Sequence, residues 1–263
     1  MTAAAPSPFS GAAPYYRFRA PYAEAALDFA CAELGVGPGS RALDVGCGPG
    51  TLAIRFAARA HEVVGVDVDA EMLAEAERGA RAAGLRNLRF LRVRAEELSA
   101  ELGSFRAATL GRSFHWMDRD LVLSQLAELL EPGGGVALFA TGVRAADDGW
   151  MRWARPIAER YLGPHGRHPA MNAELENGPA LRRAGAFGAP SEHAFPSVLE
   201  RDFDSILGCI YSHSSSTRQR FGQLAPEFER ELRAAFAERC PSGLLRESTE
   251  TQLVIARKLA PRP

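Results

Sequence analysis

The stretch Leu43-Asp44-Val45-Gly46-Cys47-Gly48-Pro49-Gly50 lies between a short apolar run, 42–45, and a helical pattern over 51–60. Glycines at a strand-to-helix junction permit positive φ angles and let a ligand lie directly against the backbone. In open α/β sheets, ligands bind at the carboxyl ends of strands near the switch in strand order. The glycines follow the spacing GxGxG, whereas the GxGxxG spacing of dinucleotide sites fails because Thr51 stands at its last position. Asp44, two residues before the first glycine, suits a ligand that carries an ammonium group.

Outward from this loop, apolar runs alternate with amphipathic segments. Strands are predicted over 63–67, 88–93, 105–110 and 136–140, and helices over 21–34, 70–83 and 121–130. This alternation implies an α/β fold, with a parallel, doubly wound sheet whose right-handed crossovers cover both faces with helices. Beyond Thr141 the pattern is less regular; it predicts helices over 147–162, 173–184, 204–211 and 226–239, and strands over 194–198 and 252–257.

Asp67 ends the second predicted strand. A carboxylate at this position accepts hydrogen bonds from both hydroxyls of a ribose in nucleoside sites of this fold class. Met72 follows on the next helix and offers a soft apolar face to an adenine ring. The alternative role for Asp67 is to cap the helix N-terminus, but Asp69 is better placed for that role.

Together with this loop and Asp67, three further segments resemble the class I S-adenosylmethionine (SAM)-dependent methyltransferases. Leu129-Leu130-Glu131-Pro132-Gly133-Gly134 is similar to the "LxPGG" turn before the fifth strand of that family. Ser113-Phe114-His115-Trp116 resembles the "alHW" segment of the trans-aconitate and ubiquinone-biosynthesis-like branch. Tyr15-Tyr16-Arg17-Phe18-Arg19-Ala20-Pro21-Tyr22 resembles the "YxRYRPxYP" segment at the N-terminal end of that branch.

The resemblance implies a role for each matching residue. The loop glycines would line the methionine and ribose parts of SAM, with Asp44 near its amino group and Asp67 on the ribose hydroxyls. Tyr16 and Arg19 would fold over the cofactor, Arg19 near its carboxylate, although a solvated surface arginine is the alternative. The residues expected around SAM, or around its product S-adenosylhomocysteine (SAH), are Tyr16, Arg19, Asp44, Gly46, Cys47, Gly48, Gly50, Asp67, Val68, Met72, Ala95, Glu96, Leu110 and Gly111.

Two positions depart from the family pattern. Where the family often has an Asp that contacts the adenine amino group, this chain has Arg94, followed by Ala95 and Glu96. Ala95 still offers its backbone amide, and Glu96 is a candidate to replace the lost contact. Where the fourth strand often begins with Phe-Asp, the pair here is Phe105-Arg106. The adenine end of the predicted pocket is therefore the part that departs from the family pattern.

The expected fold is a seven-stranded Rossmann-like sheet, mostly parallel with an antiparallel last strand, plus a helical cap. The predicted divisions are an N-terminal arm and lid helix over 1–35, a SAM-binding core over 36–140, a helical substrate cap over 141–197, and the C-terminal part of the core over 198–263.

His115 is the first candidate for a general base, because it follows the fourth strand next to the expected cofactor. A structural imidazole bonded to backbone is the alternative. His213, in a polar and aromatic stretch, is the second candidate. Trp116, Trp150 and Tyr211 are candidates for contacts with the acceptor, although the helical spacing of Trp150 favours a core residue. His165 and His168 have a spacing that a metal could use, but no third ligand is evident, so no metal site is predicted.

The composition of the chain argues against two classes of partner, nucleic acids and membranes. The net charge of −1 gives no general attraction to nucleic acid, and no apolar stretch is long enough to span a bilayer. The start of the chain lacks the pattern of a signal peptide, so a cytoplasmic protein is expected. Cys31, Cys47, Cys209 and Cys240 are expected to be buried, reduced thiols. A small-molecule acceptor and a monomer or homodimer are predicted.

The sequence leaves three functions open. The favoured one is methyl transfer from SAM to an O, N or C atom of a small molecule, with secondary metabolism as the expected setting. The second is a protein that binds SAM without turnover, supported only by Arg94 and Arg106. The third, an NAD-dependent oxidoreductase, fits the glycine spacing poorly.

Overall fold

The computed structural model describes residues 9–143, 149–163 and 177–260. The strands are β1 (Arg41–Val45), β2 (Glu62–Asp67), β3 (Leu88–Arg92), β4 (Phe105–Gly111), β5 (Leu130–Val143), β6 (Ser191–Arg201) and β7 (Leu245–Arg257). The helices are α1 (Glu24–Leu34), α2 (Ala53–Ala57), α3 (Ala70–Ala82), α4 (Arg119–Leu129), α5 (Met151–Leu162), α6 (Asn177–Arg183), α7 (Phe203–Tyr211), α8 (Arg218–Phe221) and α9 (Ala225–Arg239).

The strands form one sheet in the order β3-β2-β1-β4-β5-β7-β6. β1 pairs in parallel with β2 and with β4, so the strand order reverses between β1 and β4. Along β1, Ala42 belongs to one buried cluster and Leu43 to another, because successive side chains of a strand point to opposite faces. Both faces of the sheet are therefore covered. The expected mostly parallel, doubly wound sheet with an antiparallel last strand is confirmed.

β5 begins earlier than its apolar run predicts. The Pro-Gly-Gly segment was expected to be a turn before a strand at Val136, but the strand already starts at Leu130 and its register with β4 shifts between Phe105 and Ala107. A Cβ on Gly134 would collide with the backbone carbonyl of Arg106. The glycine thus lets two strands approach closely, which an apolar periodicity does not reveal.

Several other boundaries differ from the predicted ones. The predicted helix over 51–60 is only Ala53–Ala57, and the strands predicted over 194–198 and 252–257 extend to Ser191–Arg201 and Leu245–Arg257. The predicted helical residues 147–148 and 173–176 lie outside the described residues.

The described residues separate into two compact units. The core unit contains residues 21–141, 177–195 and 251–260, and the accessory unit contains residues 9–20, 142–143, 149–163 and 196–250. The interior of the accessory unit is built from α5, α7, α8 and α9 with aromatic side chains such as Trp150 and Phe228. The predicted division into four segments stays a prediction.

The structure bears on the predicted state of the cysteines and on membrane-spanning segments. All four cysteines are free and buried, as predicted. Among the described helices, none is both long enough and apolar enough to cross a membrane.

Candidate functional site

The glycine loop, residues 46–50, joins β1 to α2 at the point where the strand order reverses. Gly46, Gly48 and Gly50 have φ angles of 64°, 54° and 78°, in the left-handed region that favours glycine. A Cβ on Gly46 would lie 2.5 Å from the Cβ of Ser113, so the loop is packed closely against the segment after β4. By contrast, the space beside the Cα of Gly48 is open, which leaves room for a ligand.

Asp67 lies at the end of β2 and faces this loop. One carboxylate oxygen accepts a hydrogen bond from the Gly48 amide at 2.8 Å, and the other accepts one from the Asp69 amide at 2.9 Å. Burial is the main reason that the pKa of Asp67 is raised. Asp69 caps α3 by accepting from the amides of Glu71 and Met72, as predicted. Asp67 is therefore held in place at the loop and does not cap the helix.

Asp44 lies beneath the same loop and is only 1% exposed. Its carboxylate accepts hydrogen bonds from the Thr109 hydroxyl at 2.9 Å and from the Ala53 amide at 3.0 Å. Burial raises the pKa of Asp44 to about 7, and the nearby charge of Asp67 adds to this effect. The side chain thus joins β1, β4 and the start of α2, while its charge is compensated only partly by these neutral donors.

Four other predicted cofactor residues surround the ends of β1 to β3. Val68 is half exposed, whereas Met72 and Ala95 are buried. Cys47 is buried within the loop, and burial raises the pKa of its thiol well above the usual value. Its thiol is therefore protonated and contributes apolar contact rather than charge.

The two arginines that depart from the family pattern both have local partners. Glu96, a further cofactor candidate, accepts a hydrogen bond from the Asp118 amide at 3.1 Å and pairs with Arg94 at 3.4 Å. Arg106 donates to the Leu34 carbonyl at 2.7 Å, at the last residue of α1. Arg106 therefore satisfies a carbonyl that the helix end would otherwise leave unpaired.

The end of β4 holds the next group of candidates. Leu110 is buried, and a Cβ on Gly111 would lie 2.6 Å from the Tyr22 hydroxyl. His115 and Trp116 follow in a single 3₁₀ turn, with their ring centroids 5.4 Å apart. The Trp116 side chain is exposed.

A small cavity opens beside this turn. It is lined by Leu110, Arg112, Phe114, His115, Leu138, Phe139 and Asn177. Of these residues, only Leu110 and His115 were identified as site residues from the sequence, and the polar ones that were missed are Arg112 and Asn177. Arg112 directly follows the predicted Gly111, which is a weak signal, but nothing in the sequence marks Asn177.

Tyr16, Arg19 and His213 belong to the accessory unit. The Arg19 guanidinium lies 4.3 Å from the centre of the Tyr16 ring and donates to the Ser212 hydroxyl and carbonyl at 3.1 and 2.9 Å. Arg19 is thus half buried and bonded, which corrects the alternative of a solvated surface arginine. His213 Nδ1 donates to the Cys209 carbonyl at 2.7 Å.

Trp150 and Tyr211 are also in the accessory unit, where both side chains are buried. Trp150 Nε1 donates to Glu247 at 2.8 Å, and the Tyr211 hydroxyl donates to Glu229 at 2.9 Å. Burial raises the pKa of Tyr211 far above its usual value. Their predicted contact with an acceptor stays a prediction, as do the roles of Tyr16, Arg19 and His213.

Within residues 9–143, 149–163 and 177–260, no three histidine, cysteine, aspartate or glutamate side chains are grouped so that they could hold a metal ion. His165 and His168 lie outside the described residues.

A family profile described as a methyltransferase domain matches residues 42–134. An uncharacterized methyltransferase of Mycobacterium tuberculosis is 32% identical over 145 residues, which cover 55% of this chain and 54% of that protein. The demethylmenaquinone methyltransferase of Thermus thermophilus is 41% identical over 97 residues, covering 36% of this chain and 44% of that protein. Residues 42–134 therefore carry a methyltransferase domain.

The methyltransferase domain also has the fold of solved relatives. A SAM-dependent methyltransferase from Thiobacillus denitrificans, solved in complex with S-adenosyl-L-homocysteine, superposes with a TM-score of 0.55 at 18% identity over 98% of this chain and 100% of that chain. The chain spans about half the length of the mycobacterial relatives it matches. The predicted family is confirmed, while the predicted branch stays a prediction.

Proposed function

We propose that this chain is a methyltransferase that moves the methyl group of SAM to an O, N or C atom of a small-molecule acceptor. The observation that carries the proposal is the arrangement of Asp67 and the glycine loop at the switch in strand order. There, a half-buried carboxylate accepts from the amide of Gly48, which has open space beside its Cα, within the segment that matches the methyltransferase family.

The Asp67 carboxylate is suited to a ribose. Its two oxygens are oriented by the amides of Gly48 and Asp69, and a carboxylate has further lone pairs for two ribose hydroxyls. Hydroxyl donors would favour its ionised form and so oppose the effect of burial on its pKa. Val68 and Met72, next in the chain, would lie along the adenine ring.

Asp44 contributes negative charge below the loop. Because its present donors are neutral and burial raises its pKa to about 7, a cation placed on the loop would stabilise the ionised carboxylate. The ammonium group of SAM is such a cation. Asp44 would therefore favour SAM over a neutral or anionic nucleotide.

SAM supplies a methyl group on a positively charged sulfur, which leaves as a neutral thioether when a nucleophile attacks in line. The chain's main task is then to hold the acceptor in that line, and orientation supplies roughly 7 to 11 kcal/mol in favourable systems. His115, on the turn after β4, would receive a proton from an acceptor that must lose one.

The acceptor is proposed to be a small molecule rather than a nucleic acid or a membrane lipid, because the net charge of the chain is −1. A cytoplasmic enzyme of secondary metabolism that acts as a monomer or homodimer, without a metal, completes the proposal. Arg106, which supported a protein without turnover, instead has a structural partner in the Leu34 carbonyl.

Isothermal titration calorimetry with SAM, SAH and NAD tests the cofactor. We expect SAM and SAH to bind with dissociation constants in the micromolar range and NAD not to bind. Binding of both would justify a screen of phenols, carboxylates and amines as acceptors. Failure of both SAM and SAH to bind would overturn the proposal.

His115→Ala tests the base once an acceptor is found. We expect turnover to fall by roughly 100-fold, the lower range for a general base, with little change in SAM affinity. The measurement is the rate of SAH formation at saturating SAM. Undiminished turnover would make His115 a structural residue.

A further inference from the structure

The charge of the Asp44 carboxylate is unbalanced within the core unit. The side chain is 1% exposed and accepts hydrogen bonds from two neutral donors, the Thr109 hydroxyl at 2.9 Å and the Ala53 amide at 3.0 Å. Among the residues that the structure describes, no arginine, lysine or histidine forms an ion pair with it. An ionised carboxylate that is removed from water without a cation is unfavourable, so a group in this position retains its proton more readily than an exposed one.

The titratable groups around Asp44 do not correct this imbalance. Asp67, at the end of the neighbouring strand β2, is a second carboxylate held at the glycine loop, where it accepts from the Gly48 amide at 2.8 Å. Cys47, within the loop, has a buried thiol whose raised pKa keeps it neutral. β4 and α2 present the two neutral donors already named. Burial, with the charge of Asp67 adding to it, raises the pKa of Asp44 to about 7.

The glycine loop above Asp44 has room for a ligand. A Cβ on Gly48 would meet nothing within 4 Å, whereas a Cβ on Gly46 would collide with Ser113. A cationic group of a ligand that lies on this loop would favour the ionised form of a nearby carboxylate, and the attraction is stronger at a buried site than in water. One positive charge would therefore replace another, since a proton leaves when the cation arrives.

We propose that the ammonium group of SAM or SAH displaces a proton from Asp44, so that the cofactor binds more tightly above neutral pH than below it. In this step the carboxylic acid of Asp44 loses a proton to solvent, and the ammonium group then balances the charge of the carboxylate. The inference rests on the proposed methyltransferase function and adds the regulation of the same site by pH.

The direction of the pH dependence follows from the protonation of the free protein. Below pH 7, Asp44 holds a proton that binding must release, so the affinity falls as the pH falls. Above pH 7 the carboxylate is already ionised, and the affinity no longer depends on this group. With a pKa of about 7 in the free protein and a far lower one in the complex, about 0.9 proton leaves per ligand at pH 6 and about 0.1 at pH 8.

Isothermal titration calorimetry of SAH into the full chain tests the inference. The number of released protons is the slope of the binding enthalpy against the ionisation enthalpy of the buffer, measured at pH 6, 7 and 8. SAH is the probe because its thioether is neutral, which leaves the ammonium group as its cation. We expect proton release that declines from pH 6 to pH 8, with about tenfold tighter binding at pH 8. The deamino analogue of SAH, which keeps the carboxylate, thioether and adenosine, should release far less.

Two variants assign the proton to Asp44. Asp44→Asn should release no proton and bind SAH equally well at pH 6 and pH 8. Thr109→Val removes a donor that favours the ionised carboxylate, so the midpoint of affinity against pH should rise by about one unit. A change in packing alone would alter the affinity equally at every pH and leave the midpoint in place. Asp120→Asn, at an exposed aspartate of the core unit, is the matched control and should keep the wild-type midpoint.

The outcomes separate the two proposals. If SAH fails to bind at all three pH values, the methyltransferase proposal falls and this inference falls with it. If SAH binds equally well at pH 6 and pH 8 without releasing a proton, only this inference is overturned. Proton release that persists in Asp44→Asn, or that is equal for SAH and its deamino analogue, also overturns it. The wild-type measurement decides the matter even if Asp44→Asn does not fold.

Discussion

Two buried carboxylates, one in each unit, are compensated in different ways. Asp44 in the core unit is 1% exposed and accepts hydrogen bonds from a hydroxyl and a backbone amide, both neutral. Glu247 in the accessory unit is 3% exposed and forms an ion pair with Arg201, which is itself 4% exposed. Glu247 also accepts from Trp150, and Arg201 donates to the Phe18 carbonyl at 2.8 Å.

This difference distinguishes Glu247, a carboxylate with a structural role, from Asp44, a candidate for ligand binding. The charge of Glu247 is neutralised inside its own unit, and the pair joins β6, β7 and the segment near Phe18. The charge of Asp44 is not matched by its donors, so burial raises its pKa to about 7. Asp44 is a buried carboxylate without a cationic hydrogen-bond partner, and it lies at the sheet edge where ligands are expected to bind. Such a carboxylate is a candidate to lie near a cationic ligand.

The largest effect is expected from Glu247→Gln. The amide keeps the shape of the side chain but leaves the Arg201 charge buried and unpaired, so the free energy of unfolding should fall by about 3 to 5 kcal/mol. Urea denaturation measures this free energy of unfolding. Glu75→Gln, which breaks the exposed pair with Arg78 on α3, is the matched control and should cost about 1 kcal/mol or less. Equal losses in the two variants would remove the contrast between the units.

Asp44→Asn should change how stability depends on pH. The folded-state pKa of Asp44, about 7, lies above the usual value of 3.8, so its contribution is fully present below pH 3.8 and is lost as the pH rises through 7. Relative to the variant, the wild type should therefore lose up to about 4 kcal/mol between pH 4 and pH 8, since one pKa unit is about 1.4 kcal/mol.

Urea titrations of both proteins at several pH values measure this difference. Other titrating groups cancel in it because the two chains share them. Parallel curves for wild type and Asp44→Asn would mean that the Asp44 carboxylate titrates normally, and the comparison with Glu247 would then lose its basis.

Asp67→Ala extends the comparison from stability to binding. The variant loses the acceptor for both ribose hydroxyls, and we expect SAM affinity to fall about 100-fold, which is about 3 kcal/mol. Calorimetry measures the affinity, and circular dichroism checks that the fold is kept. Unchanged affinity would show that the ribose assignment is wrong.

Thr109→Val tests the neutral donors of Asp44. Loss of the hydroxyl leaves one carboxylate oxygen without its hydrogen bond, so the unfolding free energy should drop by about 1 to 2 kcal/mol at pH 8 and by less at pH 4. Denaturation at the two pH values measures this. An equal loss of unfolding free energy at pH 4 and pH 8 would indicate that the loss comes from packing and not from the hydrogen bond to the Asp44 carboxylate.

Much of the fold and part of the site could be predicted. The strands near the glycine loop and the cap at Asp69 follow from apolar periodicity and local turn chemistry, which depend on neighbours in the chain. The early start of β5 could not be predicted, because it depends on contact between Gly134 and the backbone of another strand. Asn177 carried no signal either, because its burial depends on packing against segments distant in the chain.

The sequence by itself determined the α/β order of elements and the place of the glycine loop with Asp44 and Asp67, because both are local patterns. Tertiary structure decided which polar side chains are buried and what they meet. Arg201 and Glu247 are 46 residues apart and become an ion pair only when β6 and β7 are both in place. Arg112 and Asn177 likewise line one cavity only after distant segments pack together. Burial depends on the whole fold, so neither a buried pair nor a cavity can be read from the residues alone.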